Sequence, residues 1–225
     1  MYDPLVSAAI SRARTGREPL SRERILAAAL ELADAEGLEA LSMRRLAQAL
    51  GVEAMSLYHY ADGKDDILAG IADLVVEQIE LPSPEGDWRS AMRASAISAH
   101  HVLREHPWAC NLLMSANRIS PNRLRMIDAM LARLADAHLP GETADLAYHA
   151  LDSHILGFTL WEAGYSRGLR SMPDDPEEIV RTLGLQAHPH LVDHMHFHLE
   201  PPPTVQRKKA FEFGLDLILD GVSAG

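Results

Sequence analysis

Cysteine is nearly absent from this chain of 225 residues: it has one, Cys110. No internal disulfide can form, which suits a reducing cytosol. Flanked by apolar residues, Cys110 reads as a buried, inert thiol. Aromatic residues are also scarce, at 5%, although hydrophobic residues reach 47%. Ala and Leu dominate that fraction and favour helices over sheets. No apolar run approaches the ~20 residues of a membrane span. Residues 1–19 lack the basic-then-apolar order of a signal peptide. No stretch alternates long enough for a strand, and no internal repeat occurs. A Gly-rich phosphate loop, a nucleophile elbow, a zincin motif and a Glu-x-x-His pair are all missing, which argues against an enzyme and a di-iron bundle. No cofactor is implied. Positive charge is short too: the net charge is −11, which at first argues against a nucleic-acid partner.

The distribution of charge matters more than its sum. Arg12, Arg14, Arg17, Arg22 and Arg24 cluster near the N-terminus against Glu18 and Glu23, and most of the acidic surplus follows Lys64. A basic arm on an acidic body is compatible with DNA binding at one end. A solvated tail is the plainer reading of the same residues. Pro4, Gly16 and Pro19 interrupt any helix, so residues 1–19 are expected to form a flexible basic arm.

The pattern then becomes helical. Ser21 is a natural cap for a helix that carries Ile25, Leu26, Ala29, Leu30 and Ala33 on one stripe and ends at Gly37. Ser42 caps a second helix, Met43 to Leu50, with Leu46 and Leu50 on one face. Gly51 can turn the chain through positive φ, and a third helix is expected over Glu53 to Tyr60. Two short helices across such a turn form a helix-turn-helix, whose second helix can enter a major groove. A long amphipathic helix from Asp65 to about Glu80 follows. Beyond the break at Pro82 to Gly86, helices are expected from Asp87 to Glu105, Trp108 to Ser115, Pro121 to His138 and Thr143 to Arg167. Short helices at Pro176 to Leu183 and Pro189 to Leu199, a Pro201-Pro202-Pro203 spacer and a last helix, Thr204 to Val222, complete the chain. On the helix from Pro121, Leu124, Ile127, Met130, Leu131 and Leu134 are expected to face inward; on the last helix, Phe211, Leu215, Ile218 and Leu219. The sum is an all-α protein of about nine or ten helices.

These residues carry a resemblance. Ser21 to Leu30, Gly37 to Ala47, Leu50-Gly51-Val52 and Leu57-Tyr58-His59-Tyr60, with Lys64 just beyond, resemble the tetracycline-repressor (TetR) family of bacterial transcription regulators. Phe211 to Gly221 is similar to the tetracycline-repressor C-terminal subgroup. The resemblance implies a helix-turn-helix DNA-binding domain over residues 20–66 and a helical effector-binding and dimerisation domain over 67–225. It also implies a cytoplasmic homodimer on a palindromic, double-stranded DNA operator, released by a small-molecule effector. A transcriptional activator is the alternative, and behind it a metal-dependent protein or enzyme using segment 188–198.

The DNA-facing residues are expected to be Ser42, Met43, Arg44, Ala54, Met55, Ser56, Tyr58, His59, Tyr60 and Lys64. Arg44 has the donors to read a guanine edge, or is a plain surface arginine. Ala54 and Met55 can pack on a thymine methyl. Ser56, Tyr58 and Lys64 suit phosphates, which position without reading sequence. The second motif helix has no Arg or Lys before Lys64, so base reading falls back on Arg44.

In the body, the candidates for an effector pocket are Trp108, Met114, Asn117, His149, His154, Phe158, Trp161 and Glu162, each of which also reads as core or helix surface. Ser95, Ala99 and Leu113 stand where tetracycline-binding relatives use asparagine, phenylalanine and histidine. The implied effector is therefore a different molecule, apolar or aromatic. His190, His194 and His198 would share a face if helical, and His194, His196 and His198 if extended. Such imidazoles can hold zinc, and a solvated histidine-rich segment is the alternative. The helices 143–167 and 204–222 are apolar enough to form a dimer interface.

Overall fold

The computed structural model describes residues 19–115, 119–169, 173, 175–199 and 203–223. Among the described residues there are eleven α-helices, one 3₁₀ turn and no strand. The chain divides into two compact units, Met1–Ile71 and Ala72–Gly225. The division falls inside a helix, a few residues past the 66/67 boundary expected from sequence.

The first unit holds α1 (Arg22–Glu36), α2 (Met43–Leu50), α3 (Ala54–Leu57) and the first half of α4 (Lys64–Glu77). The Ser21 hydroxyl accepts from the Arg24 amide at 3.2 Å, and the Ser42 hydroxyl from the Arg45 amide at 3.2 Å. Each satisfies one of the orphan donors of a helix start. Ile25, Leu26, Ala29, Leu32 and Ala33 are the buried stripe of α1, with Leu32 rather than the expected Leu30 among them. They meet Leu41, Leu46, Leu50, Leu57, Ala61 and Ile67, all buried. Each large side chain here contributes roughly 1.5–3 kcal/mol. Arg22 ties the start of α1 to α4 by two bonds to Asp66, at 2.7 and 3.0 Å, and donates to the Tyr60 carbonyl at 2.9 Å.

The second unit is built around α8 (Gly141–Leu169). It packs against α5 (Trp88–Glu105), α6 (Trp108–Met114), α7 (Pro121–Asp136) and α11 (Pro203–Ser223). That breadth of neighbours is what a helix apolar on several sides requires. Asp87 caps α5 through the Ser90 amide at 2.8 Å, and the helix ends at His106, before Pro107. Cys110 is fully buried, and burial pushes its thiol up to about 12. Between α8 and α11 lie α9 (Pro176–Thr182), the 3₁₀ turn Leu185–Ala187 and α10 (Pro189–Leu199). Segment 188–198 is thus mostly helical, so the extended arrangement of His194, His196 and His198 is not formed. Pro201 and Pro202 of the expected spacer lie outside the described residues, and Pro203 begins α11.

On α11, Phe211, Leu215 and Leu219 are buried as expected. Its other flank meets α5 through charge. Arg93 bonds Asp216 at 2.8 Å and Glu212 at 2.7 Å, and Arg89 pairs with Asp220 one turn further along. The hydrogen bond from Arg93 holds the Asp216 carboxyl below its ordinary range.

The inward face of α7 differs from expectation. Met130 and Leu134 are buried, but with Arg123, Met126 and Arg133; Leu124 and Leu131 are exposed. The two arginines are buried because each has partners far away in sequence. Arg123 bonds both Asp152 oxygens at 2.7 Å. Arg133 donates to the Pro84 carbonyl at 3.1 Å and the Gly86 carbonyl at 2.8 Å, pinning the loop before α5.

Candidate nucleic-acid interface and effector site

The helix-turn-helix is assembled by backbone geometry. Gly51 sits at φ 65°, ψ 40°, in the left-handed region where a side chain is costly. The Val52 amide returns to the Ala47 carbonyl at 3.0 Å, which closes the turn. Ala47 is buried and small, so α2 and α3 pack closely there. The second motif helix is shorter than the expected Glu53 to Tyr60. It spans Ala54–Leu57, and Tyr58 to Tyr60 form a turn in which the Tyr60 amide donates to the Leu57 carbonyl at 2.9 Å. Glu53 provides no side-chain cap, and only Leu57 of the segment is buried. One anchored turn is all the packing supports.

The sequence candidates distribute unevenly over this unit. Ser42 is engaged as a cap, with its side chain on the amide of Arg45. Met43, Ala54 and Ser56 are half-buried. Arg44, Met55, Tyr58, His59, Tyr60 and Lys64 are exposed, and Met55 is 73% exposed at the start of α3. A bare methionine there contributes nothing to the core. Arg44 has no hydrogen-bond or ion-pair partner among the described residues, whereas its neighbour Arg45 is held by Glu36. The Lys64 ammonium reaches the Leu38 carbonyl at 3.5 Å, leaving further donors for an anion. The arm residues before Pro19 lie outside the described residues.

In the body, four of the eight effector candidates come together. His154, Phe158, Trp161 and Glu162 lie on α8 and gather around Phe211 of α11 and His100 of α5. The His100 ring stacks on Phe211 at 3.8 Å and 8°, and His154 stacks at 4.9 Å and 17°. Phe158 meets Phe211 at 5.5 Å and Trp161 at 5.3 Å, and Trp161 stacks on Tyr165 at 5.3 Å. His154 Nε2 lies 2.9 Å from the Phe211 carbonyl, which fixes that nitrogen as the donor. The approach is possible because residue 214 is glycine: a Cβ there would stand 2.5 Å from His154 Cε1.

Glu162 is the polar hub of this cluster, with 6% of its side chain exposed. His100 Nε2 lies 3.0 Å from one oxygen; Arg104 Nε at 3.1 Å and Arg207 Nε at 3.0 Å approach the other. Burial pushes the carboxyl upward. The hydrogen bond from His100 and the cations Arg104 and Arg207 outweigh it, and the group lies below its ordinary range. The sequence candidates for the effector site did not include His100, Arg104 and Arg207, and Phe211 was expected only as an inward-facing core residue. The signal available was a pair of one-turn spacings, 100/104 and 207/211, each placing both residues on one helix face.

The remaining candidates are elsewhere. His149 is exposed near Asp145, Met114 is exposed on α6, and Trp108 is half-buried beside His106. Asn117 lies outside the described residues. Ser95 is buried and donates to the Glu80 carbonyl at 2.7 Å, so it is already satisfied. An open hollow of about 750 Å³ runs along another face of α5, past Glu80, Arg93, Ile97 and His101, and none of the eight candidates lines it. On α10, His190 and His194 are exposed; His198's side chain is outside the described residues. Among the described residues no three His, Cys, Asp or Glu side chains gather where they could hold a metal ion, and no helix is long and apolar enough to cross a membrane.

A helix-turn-helix unit and a helical body with a buried polar and aromatic cluster together form the architecture of a helix-turn-helix transcriptional regulator. Residues 25–71 match the family model of bacterial regulatory proteins of the tetR family, and residues 81–225 match the tetracyclin repressor-like C-terminal domain. The chain belongs to the tetR family. It is 33% identical over 156 residues to the transcriptional repressor DrrR1 of Streptomyces coeruleorubidus, a match covering 64% of this chain and 56% of that protein. It is 29% identical over 221 residues to the repressor Rv1353c of Mycobacterium tuberculosis, covering 93% and 82% of the two chains. The fold is similar to ActR of Streptomyces coelicolor in complex with actinorhodin, with a TM-score of 0.72 and 27% identity over 92% of this chain and 99% of that one.

Proposed function

We propose that this protein is a cytoplasmic DNA-binding transcriptional repressor that holds a palindromic operator as a homodimer and is released by a small organic effector. The observation that carries the DNA reading is the exposed surface of the helix-turn-helix. Arg44, unpaired among the described residues, and Met55, bare at the start of α3, stand beside Tyr58 and Lys64. Arg44 reads a guanine edge, Met55 and Ala54 pack on thymine methyls, and Tyr58, His59, Tyr60 and Lys64 hold phosphates. Base reading is thin per half-site, so discrimination comes from pairing two half-sites about 34–36 Å apart.

The dimer reading rests on the exposed apolar residues of α8 and α11: Leu146, Val205, Phe213 and Leu217. A second copy related by a two-fold axis covers them. The effector reading rests on the cluster around Phe211 and on relatives named as repressors. The effector acts by preferring a state in which the two recognition helices no longer match successive grooves, and it shifts that balance only by its differential affinity. The test is to recover genomic fragments bound by the purified protein and repeat the selection with candidate ligands. Recovery of one inverted-repeat sequence, lost on adding a ligand, supports the proposal. Binding without sequence preference overturns it.

A further inference from the structure

The charges around Glu162 do not balance. One carboxylate on α8 faces two guanidinium groups and an imidazole, His100 and Arg104 from α5 and Arg207 from α11. Each arginine uses Nε on Glu162, and neither has another hydrogen-bond acceptor among the described residues. Both therefore present unused Nη donors. Arg207 does so with only 11% of its side chain exposed, whereas Arg104 is 40% exposed and forms the outer edge of the cluster. A guanidinium held mostly out of water, whose open donors still reach solvent, favours an anion, above all a planar one that can accept two parallel bonds.

The surroundings add a second requirement. Phe158, Trp161 and Tyr165 continue from Glu162 along α8 as a run of rings 5.3 Å apart, and Trp161 is 45% exposed. Phe158 and Trp161 are tilted 55° to one another, so they offer a flat aromatic body one ring face and one ring edge. A surplus cation at one end and a ring wall beside it define the two halves of one ligand.

We infer that the helical body binds aromatic molecules carrying a carboxylate or phenolate, with Arg104 and Arg207 on the anionic group and Phe158 and Trp161 on the ring. This rests on the effector reading above and narrows it from aromatic to anionic aromatic. Neutral aromatic molecules of the same shape leave the arginine donors without an acceptor and are discriminated against.

The experiment compares naphthalene-2-carboxylate with naphthalene-2-carboxamide, by calorimetry and by quenching of tryptophan fluorescence, on the full chain at neutral pH. The acid is expected to bind about ten-fold or more tighter than the amide, the factor given by one charge-assisted hydrogen bond. In Arg104→Met, which keeps an apolar stem at a half-exposed position, the ratio should fall toward one while the amide's affinity holds. Arg207→Lys retains charge but loses the planar fork, and should keep only part of the preference. Equal binding of acid and amide, binding of neither, or a preference that survives both substitutions overturns the inference. An operator-binding assay run alongside separates the two readings. Charge-selective binding with unchanged operator affinity sustains the site and counts against its role as the effector site. Release by a neutral aromatic ligand alone keeps the effector reading and removes the anionic one.

Discussion

Glu162→Gln is the substitution most directly tied to the structure. Glutamine keeps the shape and one acceptor oxygen but removes the charge that neutralises Arg104 and Arg207. Breaking a buried ion pair on one side costs about 3–5 kcal/mol, because the partner is left charged and unpaired. Arg104 is 40% exposed, so water takes over much of its share. Arg207 is the partner that suffers, and the expected loss is therefore at the low end, about 3 kcal/mol. For a chain of this length that corresponds to a fall in melting temperature of about 6–12 °C. Urea unfolding at one fixed protein concentration gives the free energy directly, the concentration being held because association shifts apparent stability. The pH dependence adds an independent check. Folding holds the Glu162 carboxyl below its ordinary range, so its contribution is fully present above the unfolded value of about 4.3 and fades as the pH falls through the folded value. The gap between wild type and Glu162→Gln should therefore be constant near neutrality and close in acid. A loss below about 1 kcal/mol at neutral pH, or a gap that widens in acid, would refute the assignment of Glu162 as the neutralising hub.

Four other outcomes follow from the geometry. Arg44→Ala should alter base preference at one operator position at a cost of about 1–3 kcal/mol, read by competition among operator variants. Lys64→Ala should weaken all sequences alike and reduce the salt slope by about one. Gly214→Ala places a methyl against His154 and should cost about 1–3 kcal/mol in urea unfolding, with His154→Ala in the same chain removing most of that cost. Phe213→Glu puts a charge on the exposed face of α11 and should yield a monomer in sedimentation at micromolar concentration, with operator affinity lost alongside.

What was legible in the sequence was what short-range chemistry specifies. Ser21 and Ser42 cap the helices that follow them, and Gly51 turns the chain, because each acts within a few residues of itself. The all-α class and most helix starts share that origin. The inward face of α7 was misread because apolar count favoured Leu124 and Leu131. Arg123 and Arg133 displace them, and their partners, Asp152 and the carbonyls of Pro84 and Gly86, lie tens of residues away. The length of α3 was misread for a related reason. Tyr58 to Tyr60 are compatible with a helix, but the chain must turn into α4, and only Leu57 has core to hold it. The cluster around Phe211 was half legible. The α8 residues His154, Phe158 and Glu162 recur at one-turn spacing, while their partners arrive from α5 and α11.

The net charge of −11 now has a physical place. Several of the acidic groups that make it up are engaged by arginines within their own unit. Glu36 holds Arg45, Asp66 holds Arg22, and Glu212, Asp216 and Asp220 line α11 against Arg93 and Arg89. In the first unit the exposed cations Arg44 and Lys64 share the surface with exposed acids that include Glu39, Glu53, Asp62 and Asp65. Among the described residues such a surface offers few phosphate contacts, and each contact made adds one released counterion. On the dimeric reading proposed above, specific affinity comes from two copies acting together, and a ligand that separates their recognition helices removes nearly all of it.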